Sequence, residues 1–176
     1  MDIEIRQLIT RYLLILLAIF SFNLIYLILL PITIYPVYFI LNLFYQVNLQ
    51  GTSFFISGKE IEIIRACVGA SAVLLLIILN LATPKINIKK RTKLFSFGII
   101  SFLIFNWLRI IVLSTLFISG ALIFEQIHFF TWYFINTLAV FAIWIISIKF
   151  FKINKNKLLF ELGFYLYFYF IRYCCF

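Results

Sequence analysis

An all-α polytopic membrane helix bundle is the fold class this sequence predicts. It has about four to six membrane segments and a short extracytoplasmic β-hairpin or flap before the Cys67-bearing helix. Three observations predict it. Of 176 residues, 65% are hydrophobic and only 12% charged, where a soluble domain carries about one-quarter charged residues. The mean hydropathy is +1.14. Four apolar stretches, at about 12–30, 63–83, 94–118 and 129–151, are separated by short polar segments. Each is long enough as a helix to cross about 30 Å of hydrocarbon.

The elements follow in order. Arg6 and Arg11 precede an apolar run that superficially resembles a signal peptide, but no small-residue cleavage site follows. The run from Tyr12 to Leu30 is therefore read as a retained first span. Pro31 to Pro36, with the apolar residues up to Phe44, is short for a separate span. A second full crossing there would also break the charge pattern, so it is read as a re-entrant or interfacial segment on the outer side. Between Val47 and Ile64 apolar and polar residues alternate, with Gly51 and Gly58 as punctuation, which predicts the hairpin or flap.

The 63–83 span then carries Cys67, the 94–118 span carries Arg109, and His128 opens the 129–151 span. The aromatics Trp107, Trp132, Tyr133 and Trp144 read as lipid-facing or interfacial. The tail from Leu158 to Tyr173 reads as an interfacial helix or a short extra span, with Arg172 snorkelling. There is no internal repeat and no linker, so residues 1–176 form a single domain.

Charge sets the orientation. The net charge is +9, yet its location argues against nucleic acid. Lys85, Lys89, Lys90, Arg91 and Lys93 form one cluster between spans, and Lys149, Lys152, Lys155 and Lys157 form another. Such clusters mark cytoplasmic loops. The 119–128 connection has no Lys or Arg and falls outside, as does the 48–61 flap. The three cysteines, two of them the adjacent Cys174 and Cys175, make no disulfide framework and no CxxC spacing. With a single histidine, no metal site is expected, and no cofactor motif is present.

Cys67, Arg109 and His128 are the residues an oily chain has most reason to avoid. Counting from the inner basic residues, they lie roughly 27, 24 and 31 Å up their respective helices, hence in one layer on the outer side. Their chemistry is complementary. A cation or imidazole beside a thiol raises its thiolate fraction, and the first turn of a helix favours the anion. His128 can take the thiol proton and return it to a leaving amine, while Arg109 offers a fork of donors for an oxyanion or a carboxylate. Asn106, one turn before Arg109, can add a donor or orient the guanidinium. Glu125, one turn before His128, can orient the imidazole or favour the helix start. Arg65, two residues from Cys67, points to another face and is read as snorkelling outward. Taken singly, a lone membrane cysteine is usually a small packing residue.

Three short motifs carry a family resemblance. Glu62 through Ala70, containing Ala66, Cys67, Val68 and Gly69, resembles the nucleophile motif of the exosortase/archaeosortase family, A-C-[ST]-G. Asn106 to Arg109 resembles that family's N-x-x-R helix, and His128 resembles its histidine at the start of the next span. Order and spacing match over about residues 45–150. The resemblance implies an intramembrane cysteine protease or transpeptidase acting on exported proteins whose C-terminus has a motif, a span and a basic tail. Cys67 would form a thioester, with transfer to a lipid or other amine acceptor, and Arg109 and His128 would be the other active residues, facing the extracytoplasmic side of the cell membrane. The Ile-, Lys- and Asn-rich composition fits an archaeal member. Val68 departs from the family's Ser or Thr, whereas Gly69 is kept. Two rivals are a small membrane substrate-binding or transport subunit, and an inactive family member that acts as a scaffold.

Overall fold

The computed structural model describes residues 3–83 and 86–151, which are mostly helical with one small sheet. Lys85, the basic residues at 152–157, the 158–173 tail, Cys174 and Cys175 lie outside the described residues.

The axis of the bundle is α4 (Ala70–Ala82), against which α1 (Ile3–Phe20), α2 (Phe22–Asn42), α5 (Ile88–Ile118) and α7 (Asn136–Phe150) all pack. The residues from Ala72 to Leu76 and from Ile78 to Asn80 are buried, as expected of a helix that is apolar all round. With 13 residues it rises only about 20 Å, less than the expected 63–83 span. The N-terminal part of that expected span is instead a separate turn, α3 (Arg65–Val68), joined to α4 through Gly69. α4 is thus the covered centre of the bundle, and shorter than the span expected.

α2 and α5 are long and apolar enough to cross a membrane, and most of each remains unburied within the chain. Along α5 the inward stripe is Leu94, Gly98, Phe102, Asn106, Ile110 and Ser114. The outward stripe is Ile100, Ile104, Leu108 and Val112, offset by two residues. An apolar outward face reverses the pattern of a water-soluble bundle and points to membrane association.

The start of the chain corrects the expectation of a span at 12–30 followed by a re-entrant segment. α1 and α2 meet at Ser21 with helical hydrogen bonds running across the junction, Ser21 to Leu17 and Ile25 to Ser21. At one end Arg11 lies within electrostatic reach of Arg91 at the start of α5. At the other, Asn42 Oδ1 accepts a bond from the Val47 amide. The segment from Arg11 to Asn42 thus makes one passage along the molecule. Pro31 and Pro36 lie inside α2 without ending it. Pro36 has no N–H to give the Ile32 carbonyl four residues back, and Trp107 Nε1 donates to that carbonyl instead, at 3.1 Å. Trp107 is therefore a half-buried partner of α2 and Trp144 a buried core residue. Neither is the lipid-facing aromatic expected.

The last expected span, 129–151, is also subdivided: α6 (Phe124–Phe130) passes through a π-helical turn at Thr131–Ile135 into α7. The wider turn inserts an extra residue and so changes the angle at which the α6 side chains face the bundle. At the opposite end Arg91 and Asn80 bond reciprocally. The Arg91 guanidinium donates to the Asn80 carbonyl and to Thr83 O at 2.8 Å, and Asn80 Nδ2 donates to the Arg91 carbonyl at 3.2 Å. Arg91 thus closes the C-terminal end of α4 as well as contributing to the basic cluster.

The expected hairpin is a three-stranded antiparallel meander, β1 (Val47–Gln50), β2 (Ser53–Ile56) and β3 (Lys59–Glu62), in that order. The turn between β2 and β3 is Ser57–Gly58, both with positive φ (51° and 77°), the geometry that matches strand twist in a two-residue loop. Val47, Phe54 and Ile56 face inward and are buried, while Glu60 and Glu62 stay exposed. Lys59 ties the sheet to α5, its Nζ donating to the Phe117 and Ile118 carbonyls at 3.0 and 2.9 Å. Sequence reading passed over this lysine.

Trp107→Phe should lower stability in detergent by about 1–3 kcal/mol, because the Ile32 carbonyl loses its donor. The same change in a Pro36→Ala background should cost distinctly less, since the helix then supplies its own N–H. A thermal double-mutant cycle measures the difference, and equal costs in both backgrounds would refute the pairing.

Candidate active site

The site is built on a break in the helical path. α3 is a single turn, closed by the Cys67 amide donating to Ile64 O at 2.9 Å. Gly69 then takes a left-handed conformation (φ 76°) before α4 begins. A Cβ on Gly69 would sit 2.8 Å from the Phe102 ring, so both conformation and space require glycine. The expectation that Cys67 lies in the first turn of a long helix is corrected: it precedes the start of α4 by three residues.

Breaking the ladder leaves the carbonyls of Cys67 and Val68 without helical partners, and the inward stripe of α5 supplies them. Asn106 Nδ2 donates to Cys67 O at 3.0 Å and to Val68 O at 3.4 Å, and Arg109 Nη2 donates to Cys67 O at 3.3 Å. Asn106 is fully buried and Arg109 nearly so. The Asn106–Arg109 spacing, one helical turn, aims both side chains at the same carbonyl. Asn106 thus holds the turn that presents the thiol, rather than merely flanking Arg109. Val68 is fully buried in the core, which accounts physically for an apolar residue there.

Cys67, Arg109 and His128 line one cavity of about 290 Å³, together with Glu60 to Ile64 and, from α5, Ile110, Ser114 and Phe117. The imidazole stacks on Phe124, with ring centres 5.5 Å apart and planes 19° apart, and Phe124 in turn packs against Phe117 at 5.1 Å. This aromatic pair fixes the imidazole plane. Burial, and after it the Arg109 cation, holds the His128 imidazole below its ordinary value, so the ring is neutral at pH 7 and able to accept a proton. His128 lies on α6, ahead of α7. Glu125, in the first turn of α6, is exposed and does not line the cavity. Arg65 lies over the Tyr26 ring, 5.1 Å from its centre, an exposed cation–π contact.

Ser114 is a site residue that sequence reading missed. Its side chain is 2% exposed, it lines the cavity, and its Oγ has no hydrogen-bond partner. Its signal was present: eight residues beyond Asn106, it continues the same polar stripe on α5.

A thiol, a neutral imidazole and a permanent cation around one cavity have the functional groups required for acyl transfer. Compared with known proteins, the chain matches no family model, no curated protein and no solved structure.

Gly69→Ala should cost at least about 2 kcal/mol, from the left-handed backbone and the contact with Phe102 together. Adding Phe102→Leu should recover part of that loss in thermal unfolding. No loss in the single variant would refute the steric account.

Proposed function

We propose that this chain is a polytopic membrane cysteine transpeptidase of the exosortase/archaeosortase type, acting on exported proteins that end in a motif, a hydrophobic span and a basic tail. One observation carries the reading: Cys67, Arg109 and His128, from three separate segments, line a single cavity. The motif resemblance supplies the substrate class. The positive-inside pattern supports an extracytoplasmic cavity, and the apolar outward faces of α2 and α5 suit lipid.

In this reading His128 takes the proton from the Cys67 thiol, and the sulfur attacks the carbonyl carbon of the substrate peptide bond. The carbonyl oxygen becomes an oxyanion beside the Arg109 cation. When the C–N bond breaks, His128 returns the proton to the departing amine, and the substrate is left as a thioester on Cys67. An acceptor amine, from a lipid or another molecule, attacks the thioester carbon and loses its proton to His128. The departing sulfur then recovers that proton. Water in place of the amine gives hydrolysis. Asn106 and Gly69 act by holding the α3 turn in place. A substrate-binding subunit of a transporter would need no thiol.

Cys67→Ala and Cys67→Ser should leave the protein inserted yet abolish processing of a co-expressed exported protein bearing such a tail. Arg109→Ala should lower processing by at least about a hundredfold, the usual loss on removing one oxyanion donor. Full processing by Cys67→Ala would sink the mechanism. With Cys174 and Cys175 replaced by Ser, an impermeant maleimide added to intact cells should label Cys67, whereas labelling confined to inverted vesicles would contradict the orientation.

A base whose value is depressed stays neutral to lower pH. The acid limb of kcat/KM should therefore fall below the ordinary imidazole value of about 6.5. An acid limb above that value would argue against His128 as the base.

A further inference from the structure

The free edge of β3 forms one side of the cavity. β3 pairs with β2 along one edge only, and among the described residues no strand pairs with the other. The Ile63 amide, in the extended segment that continues β3, donates back to Thr52 O at 2.9 Å. Backbone groups alternate direction along a strand. Since Ile63 faces β2, the N–H and C=O groups of Glu62 and Glu60 face the opposite way, off the open edge. The cavity lining agrees: five consecutive residues, Glu60 to Ile64, border it. Side chains on a strand point alternately to its two faces, so an unbroken run of neighbours borders one space along the edge of the strand. The Ile64 carbonyl accepts the Cys67 amide, so the edge ends where the nucleophile turn begins. From α5 the lining includes the buried, unpartnered hydroxyl of Ser114.

We infer that the substrate binds as an added strand: an extended polypeptide segment lies along the open edge of β3, exchanges backbone hydrogen bonds with Glu60 and Glu62, and receives a further one from Ser114 of α5. This rests on the transpeptidase reading and adds to it how the peptide is held. Main-chain bonds give such an interaction its affinity with little demand on side-chain identity. The added strand runs about 4.8 Å from β3, and the end of the edge delivers its next peptide group to Cys67. Lys59, bonded to the last carbonyls of α5, anchors β3 at the other end of the groove.

The test uses the full chain in detergent, with Cys174 and Cys175 replaced by Ser. The probe is an acetylated hexapeptide of alternating Val and Thr that ends in a vinyl sulfone. The Cys67 sulfur adds to the terminal vinyl carbon, and the thiol proton ends on the carbon beside the sulfone, so no other reagent is needed. The measurement is the labelling rate relative to that of ethyl vinyl sulfone. The peptide should label at least about tenfold faster. Methylating its backbone nitrogens one at a time should lower the rate by about tenfold at alternate positions and little at those between, because only every second amide faces β3. Ser114→Ala should lower the same ratio several-fold. A peptide no faster than ethyl vinyl sulfone, or an N-methyl profile without the two-residue period, would overturn the proposal. The transpeptidase reading fails on a different result, namely processing of a tailed protein by Cys67→Ala.

Discussion

A backbone carbonyl released from a helix and packed against other elements needs a donor from elsewhere in the chain. Side chains from other elements supply one at four places. Trp107 serves the carbonyl orphaned by Pro36, and Arg91 serves the last carbonyls of α4. Lys59 serves the end of α5, while Asn106 and Arg109 serve the turn around Cys67. Those of Arg91 join consecutive helices, and the others link segments distant in sequence. The polar side chains that an oily chain carries at a cost are therefore also what sets its helices in position.

That constraint shapes the candidate site. A continuous helix through Cys67 would have satisfied its own carbonyls and left no call for Asn106. The left-handed Gly69 interrupts the ladder, and the exposed carbonyls draw the polar stripe of α5 against the nucleophile turn. Arg109 thereby comes to the thiol through a structural bond, before any substrate is considered. The aromatic pair Phe117 and Phe124 does the corresponding work for His128 by stacking rather than hydrogen bonding. Thiol, cation and imidazole thus meet from three segments because each is fixed by a different kind of contact.

Much of this was legible in the residues, and the misses have physical causes. Apolar run length and low charge identified the apolar segments, and alternation with Gly51 and Gly58 identified the extended flap. Length and charge counting misplaced the segment around Pro31 and Pro36, because neither shows that the helical path runs on through Ser21, or that Trp107 serves the carbonyl Pro36 leaves without a helical donor. Trp107 and Trp144 looked like interfacial aromatics because composition does not say which face of a helix is covered. Glu125 stood at helical spacing from His128, yet α6 leaves it exposed. Ser114 was overlooked because a single serine in a span is common, and only its burial without a partner sets it apart.

By itself the sequence determined the local choices: apolar helices, since no other arrangement satisfies so many backbone groups in so oily a chain, the turn at Gly58, and the order of Cys67, Arg109 and His128 on three successive segments. Order and spacing belong to the chain itself, whereas the break at Gly69 between Cys67 and α4 does not show in them. Whether residues at one depth face each other depends on helix rotation and packing, which are set by long-range contacts. Only the tertiary structure decided that the three share a cavity, that α1 and α2 make one passage, and that the open edge of β3 borders the thiol.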